Sequence, residues 1–266
     1  MKQQNFTTMG TFGDTIWSLC LMKMLGGGAL YVKLNALDDF CKRSLGWKDA
    51  GPHSGRMTQS DYDFIAPLLS AQDYISNVAV WDGEVDSYPI MYDHWKFHKN
   101  EKWHGNQTEC YALALGMDIH DPKIKSQLLY EPWLTELNPL TVSGKPIIIN
   151  RTHRHLVGAQ GDGWNEWIEK DLSNYGLFLG TEKEHAAFED QFKIKIMHQK
   201  VSDMLEMARY IQGGEMFIGN QSSALSIAIG LGKTYWCEIR QDYEHTRTPH
   251  NGYGDTWFPR INGYYF

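Results

Sequence analysis

The chain holds little cysteine, no basic run and no long apolar stretch, and each shortage removes a class of function. Four cysteines (Cys20, Cys41, Cys110, Cys237) stand far apart in 266 residues with no CxxC pair. That spacing offers neither a disulfide frame nor a zinc site, and it predicts free thiols in a reducing compartment, the cytoplasm. No stretch reaches the roughly 18 apolar residues of a spanning helix. The most apolar early segment, Ile16 to Leu25, is interrupted by Lys23. It lacks a basic leader and a small-residue cleavage site, so it does not read as a signal peptide. Lys and Arg number 25 against 32 Asp and Glu, a net charge of −7. Proteins held to nucleic acid by phosphate contacts are usually basic, so a nucleic-acid partner is disfavoured. The GxGxxG dinucleotide pattern is missing. Gly230-Leu-Gly-Lys-Thr234 ends like a P-loop, but that loop needs glycine where Ile227 stands, and the segment closes a helix rather than opening one.

What is present suits a globular α/β protein. Hydrophobic residues make up 42% of the chain, enough to bury a core. Aromatics reach 13% with ten Trp, which serve cores and also stack on sugar rings. In the first half, strands are expected at Gln4 to Met9, Ala29 to Leu34 and Asn77 to Trp81. Helices are expected at Thr15 to Leu25, Asp38 to Leu45, Ser60 to Leu69 and Thr108 to Leu115, with Ser60 as an N-cap and Pro67 shortening or kinking its helix. The second half alternates more clearly. Apolar runs at Lys145 to Asn150, Gly176 to Gly180, Lys193 to Met197, Glu215 to Gly219 and Thr234 to Glu238 read as five buried strands. Helices lie between them at Trp164 to Leu172, Glu182 to Phe192, Ser202 to Ile211 and Ser222 to Leu231. Such alternation predicts parallel sheets wrapped on both faces. Composition places a boundary near Glu136 to Gly144. The division expected is an acceptor-side domain over 1–140, a nucleotide-binding domain over 141–240, and a tail over 241–266 that fits no further strand–helix unit and returns to the first domain.

Two strand-to-helix turns carry candidate chemistry. Gly10-Thr-Phe-Gly-Asp14 joins a strand to a helix start, where glycine admits a ligand and free N–H groups favour anions. Asp14 there is either a helix cap or a general base facing a cleft. Phe217-Ile-Gly-Asn-Gln-Ser-Ser-Ala224 is the second turn. Gly219 permits close approach, and Asn220, Gln221, Ser222 and Ser223 offer donors at a positive helix end, a cradle for a diphosphate. Arg151 and Arg154 follow another strand and could pair with phosphate, or form surface salt bridges. Glu184 follows a third strand and could accept both ribose hydroxyls, or simply enrich a helix first turn in acid. All lie beyond carboxyl ends of strands, which line one crevice in an open α/β sheet.

The run Phe217 to Lys233 resembles the nucleotide-sugar signature of the heptosyltransferase-like glycosyltransferases (glycosyltransferase family 9-like), and Gly13-Asp-Thr-Ile-Trp-Ser-Leu19 resembles their G-D-x-I-x-x-L motif. Asn150-Arg-Thr, Trp164, Gly180 to Glu184 and Glu238 fit short phage and bacterial relatives. The resemblance implies a GT-B fold, two Rossmann-like domains facing a cleft. It implies that Asp14 is the catalytic base, Glu184 the ribose ligand, and Arg151 or Arg154 the phosphate-binding cation. The family's Asp-Ser-Gly falls on Gln221, Ser222 and Ser223, and its His on Ser226. These departures leave the donor unassigned. The partners implied are a nucleotide-diphosphate sugar and a glycan or other hydroxyl acceptor, with no metal and no further cofactor.

The stretch His94-Trp-Lys-Phe-His98, with Trp103 and His104 nearby, lacks a third metal ligand. It is read as an acceptor site, with Gly13 beside His94, Trp95 and His98; exposed loop aromatics are the plainer alternative. The function expected is an inverting sugar transfer. Two alternatives stand beside it: a GT-B-shaped protein that binds a glycan or nucleotide without transfer, and a transferase acting on a modified base of phage DNA.

Overall fold

The computed structural model describes residues 4–35, 57–85, 88–89, 107–153, 162–238 and 263–265. The expected helix at Asp38 to Leu45 lies outside these residues.

Among the described residues the first half builds a four-stranded parallel sheet. Its strands are β1 (Asn5–Thr8), β2 (Gly28–Val32), β3 (Ile75–Val80) and β4 (Tyr88–Pro89). They stand in the order β3-β2-β1-β4, every pair parallel. Helix α1 (Phe12–Met24) follows β1, α2 (Gln59–Ser70) precedes β3, and α3 (Gln107–Ala114) and α4 (Pro122–Tyr130) come after the sheet. Thr58, not Ser60, is the N-cap of α2, and that helix runs through Pro67. The sequence reading missed α4, although its start is marked by the Asp121 side chain accepting from the Lys123 and Ile124 amides and by Pro122 in the first turn.

The second half repeats the plan on a larger scale. Its strands are β5 (Ile147–Asn150), β6 (Gly176–Leu179), β7 (Met197–Gln199), β8 (Met216–Asn220), β9 (Thr234–Glu238) and β10 (Gly263–Tyr265). Between them run α5 (Asp162–Glu169), α6 (Leu172–Tyr175), α7 (Glu182–Phe192), α8 (Met204–Gly213) and α9 (Ser223–Gly230). The helix expected over Trp164 to Leu172 is broken in two where Asp171 adopts a left-handed conformation, φ 67°. The sheet order is β10-β9-β8-β5-β6-β7, the dinucleotide-fold order in which the chain first winds one way from β5 and then the other way from β8. The α/β class with parallel sheets is as expected.

The tail needs correcting. Its described strand, β10, does not join the first sheet but pairs in parallel with β9, Gly263 opposite Tyr235, as a sixth strand of the second sheet. Three residues are too short to show any periodicity, and so the strand was invisible in sequence.

Residues 131–141 tie the two sheets' helices together. The backbone N–H groups of Trp133 and Leu134 both donate to Gly230 O at the end of α9, while the Trp133 indole donates to Ile16 O in α1. Gln72 Oε1 and Gln212 Oε1 accept from Thr135 and Leu137 respectively. A Cβ on Gly213 would lie 2.0 Å from Leu140 O, so only glycine lets the segment pass there. Helix α1 packs against α9, and α2 against α8. Nearly every residue of α9 is buried, as is Thr15 through Met22 of α1, so these helices read apolar on all sides rather than along one stripe. One hydrophobic core therefore runs from Phe6 and Leu30 under the first sheet to Leu177 and Phe217 under the second.

Candidate functional site

In the first sheet β1 and β4 are neighbours; in the second the chain leaves the neighbouring strands β5 and β8 in opposite directions. The crevice beyond the carboxyl ends of such a pair is where open α/β sheets hold ligands. The turn after β1 is 9–11, and Gly10 there has φ 110°, a conformation that disfavours any side chain. Thr11 is then the N-cap residue of α1, with Asp14 three residues on. Asp14 Oδ2 accepts from both the backbone N–H and the hydroxyl of Thr11, each at 2.8 Å. The carboxylate is half-buried and sits at the positive end of α1. Gly13 needs no special backbone angle, and the nearest atom to a Cβ placed there is Thr11 Oγ1 at 3.9 Å, so neither the chain path nor the packing requires glycine.

The turn after β8 is built differently. Asn220, buried at the end of the strand, accepts from Thr152 N at 3.0 Å and donates to Thr152 O at 2.9 Å, pinning the segment that leaves β5. Asn150, the last residue of β5, donates from Nδ2 to Leu179 O at 2.7 Å, and its Oδ1 accepts from the Ser222 hydroxyl at 2.9 Å. The ends of β5, β6 and β8 are thereby tied into one cluster. Ser222 is the N-cap residue of α9, yet its side chain makes no capping hydrogen bond and the helix's first turn holds no acid. By contrast, Asp14, Asp61, Glu184 and Glu206 occupy the first turns of α1, α2, α7 and α8. Gln221, Ser222 and Ser223 are half-exposed, whereas Ser226 is buried and donates to Ser223 O within the helix.

Glu184 faces the same cluster. Its Oε2 accepts from Thr181 N at 3.0 Å and from the Thr181 hydroxyl at 2.8 Å, repeating the Asp14 arrangement. Its other oxygen makes no hydrogen bond to a described residue. A Cβ on Gly180 would lie 3.2 Å from Glu184 Oε2 and 3.4 Å from Asn150 Nδ2, which brings both side chains up to that glycine. His198 Nε2 lies 2.9 Å from Gly180 O and holds the turn from β7.

Arg151 departs from expectation. The residue is 5% exposed, and its guanidinium forms a two-pronged pair with Glu238, Nε to Oε2 at 2.6 Å and the second nitrogen to Oε1 at 2.9 Å. It also donates to Gln191 Oε1 at 2.7 Å and lies over the Phe192 ring, while Trp164 Nε1 donates to Glu238 Oε2. Removing a buried charge from water is tolerated only with such pairing. Arg151 is thus a clamp between the ends of β5 and β9, not an exposed phosphate contact. Arg154, His94, Trp95, His98, Trp103 and His104 lie outside the described residues. Sequence reasoning gave no role to Asn150, which entered only through the Asn150-Arg-Thr resemblance and as the polar side chain closing the run Ile147 to Ile149. Among the described residues no group of three or more His, Cys, Asp or Glu is arranged to hold a metal.

Comparison with solved structures identifies the architecture. A glycosyl transferase of family 9 from Veillonella parvula matches all of this chain and 86% of its own, with a TM-score of 0.57 at 9% identity. The fold is GT-B. An Escherichia coli ADP-heptose lipopolysaccharide heptosyltransferase II aligns over 99% of this chain and 90% of its own, at 12% identity and a TM-score of 0.45. TibC, an iron-containing dodecameric glycosyltransferase of enterotoxigenic E. coli, aligns over 89% of this chain but 58% of its own, at 13% identity and a TM-score of 0.48. No protein-family profile and no curated protein matches the chain. Among the described residues no helix is long and apolar enough to cross a membrane.

Proposed function

We propose that the protein transfers a sugar from a nucleotide-diphosphate sugar to an acceptor hydroxyl, with inversion, in the cytoplasm. The observation that carries this reading is the cluster beyond β5, β6 and β8. There an uncapped helix start, a carboxylate oxygen with no described partner and two asparagines converge in a GT-B fold. The diphosphate lies at the first turn of α9, where N–H groups and the helix dipole favour an anion; Asn220, Gln221, Ser222 and Ser223 border it. Glu184 takes the ribose hydroxyls. Across the molecule Asp14 accepts the proton of the acceptor hydroxyl, and the new oxygen–carbon bond forms as the bond to the diphosphate breaks on the opposite face. Gly13 leaves room for the acceptor; contacts to the acceptor are assigned to His94, Trp95 and His98 and a further one to the diphosphate to Arg154, all outside the described residues. This reading routes no step through a metal or a further cofactor.

A second reading, nucleotide binding without transfer, draws on one observation: the Asp14 carboxylate already serves the start of α1. A panel of ADP, GDP, UDP, CDP and dTDP separates both readings from neither. At a hundredfold its Kd a ligand raises stability by about 2.7 kcal/mol, readable as a thermal shift. A response to one nucleotide, followed by turnover of its sugar conjugate, supports transfer. A response without turnover on any acceptor supports binding alone, and no response to any nucleotide overturns both.

A further inference from the structure

Asn150 is 3% exposed and lies between the turns after β6 and β8. Its orientation follows from chemistry. Leu179 O can only accept, so the side-chain nitrogen faces it; Oδ1 therefore faces Ser222, whose hydroxyl must donate. Serine in the N-cap position ordinarily turns its oxygen onto the amides of the first turn. Here its hydroxyl donates to Asn150, and the side chain makes no such cap.

We infer that Asn150 is a positioning residue: by accepting the Ser222 hydroxyl's hydrogen bond it holds that side chain off the first turn of α9, leaving the backbone N–H groups there to the diphosphate. The inference rests on the donor site proposed above and sharpens it. With its proton committed, the Ser222 oxygen has only lone pairs to present, which an anion repels. The contact of Ser222 with the diphosphate is therefore a main-chain contact. Without Asn150, Ser222 is released to cap α9 and competes with the ligand for the same amides.

The test is calorimetric titration of wild type, Asn150→Ala and Asn150→Ala/Ser222→Gly with the nucleoside diphosphate that wild type binds and with its bare nucleoside. Loss of one cap's worth of competition corresponds to about tenfold in affinity. Asn150→Ala should weaken the diphosphate about tenfold and leave the nucleoside unchanged. The double variant, having no hydroxyl to cap with, should recover at least about threefold of that loss. Equal weakening of nucleotide and nucleoside marks Asn150 as merely structural and overturns the inference, as does a double variant no better than the single. Should Asn150→Ala not fold, wild type still decides: inorganic pyrophosphate should shift the backbone amide resonances of Ser223 and Ala224, and unmoved resonances overturn the inference. Wild type that binds no nucleoside diphosphate removes the donor site itself, a distinct outcome from a site that binds but ignores Asn150.

Discussion

The turn after β1 and the turn after β8 each lead from the carboxyl end of an interior strand into a helix, yet they treat the positive end of that helix in opposite ways. The first supplies its own anion: Asp14 sits in the first turn of α1, bonded to Thr11. The second supplies none, and its one cap-competent side chain, Ser222, is turned toward Asn150. One architecture thus yields a helix start already holding a carboxylate and another open to a negatively charged ligand. In the proposed reading the first is the acceptor's side and the second the donor's.

The largest expected effect breaks the first turn. Asp14→Asn removes the base and should lower turnover by about 10²–10⁴-fold. It also removes charge from the start of α1, costing about 0.3–1 kcal/mol in urea unfolding. Nucleoside diphosphate affinity should stay unchanged, because its contacts lie at α9. Near-normal turnover would leave Asp14 as a helix-terminus charge only. Next comes the clamp beside the second turn. Arg151→Ala strands Glu238 as an unpaired buried charge and should cost about 3–5 kcal/mol of stability by denaturant unfolding. A cost below about 1 kcal/mol would mean that the pair is dispensable.

Gly13→Ala is smaller and of the opposite sign. Nothing lies within 3.9 Å of the added methyl, and alanine is the better helix former, so stability should rise by about 0.5–1 kcal/mol. If the acceptor approaches there, its KM should rise at the same time while donor affinity holds. The smallest effect concerns pH. A hydrogen bond from Lys195 holds the Glu189 carboxyl below its ordinary range, helped by the Ile196 amide and opposed by burial. A depressed carboxyl contributes stability above its unfolded value and loses it as pH falls through the folded one. Unfolding midpoints measured between about pH 5 and pH 3 should therefore fall less steeply for Glu189→Gln than for wild type.

How much of this was legible differs between the same two turns. The strands Ile147–Asn150 and Gly176–Leu179 are short continuous apolar runs, which buried parallel strands must be, and they stand where sequence placed them. The Thr-x-x-Asp and Thr-x-x-Glu spacings at Thr11, Thr58 and Thr181 carry the signature of a capped helix start, though the reading put the second cap at Ser60. The direction of a side chain was not legible. Arg151 looked like a phosphate contact because its partner, Glu238, is 87 residues away and only the pairing of β5, β8 and β9 brings them together. Asn150 was passed over for a like reason: its role depends on two turns that sequence leaves far apart.

The contrast between the turns is tested most directly by giving the second what the first already has. Ser223→Asp places an acid in the first turn of α9. The carboxylate should stabilise the helix, so the thermal midpoint should hold or rise, while repulsion weakens the nucleoside diphosphate by about tenfold or more in calorimetric titration. Opposite signs in one variant are the predicted result. An unchanged nucleotide affinity, with the midpoint held, would contradict the account, because the anion would then bind somewhere other than the open end of α9.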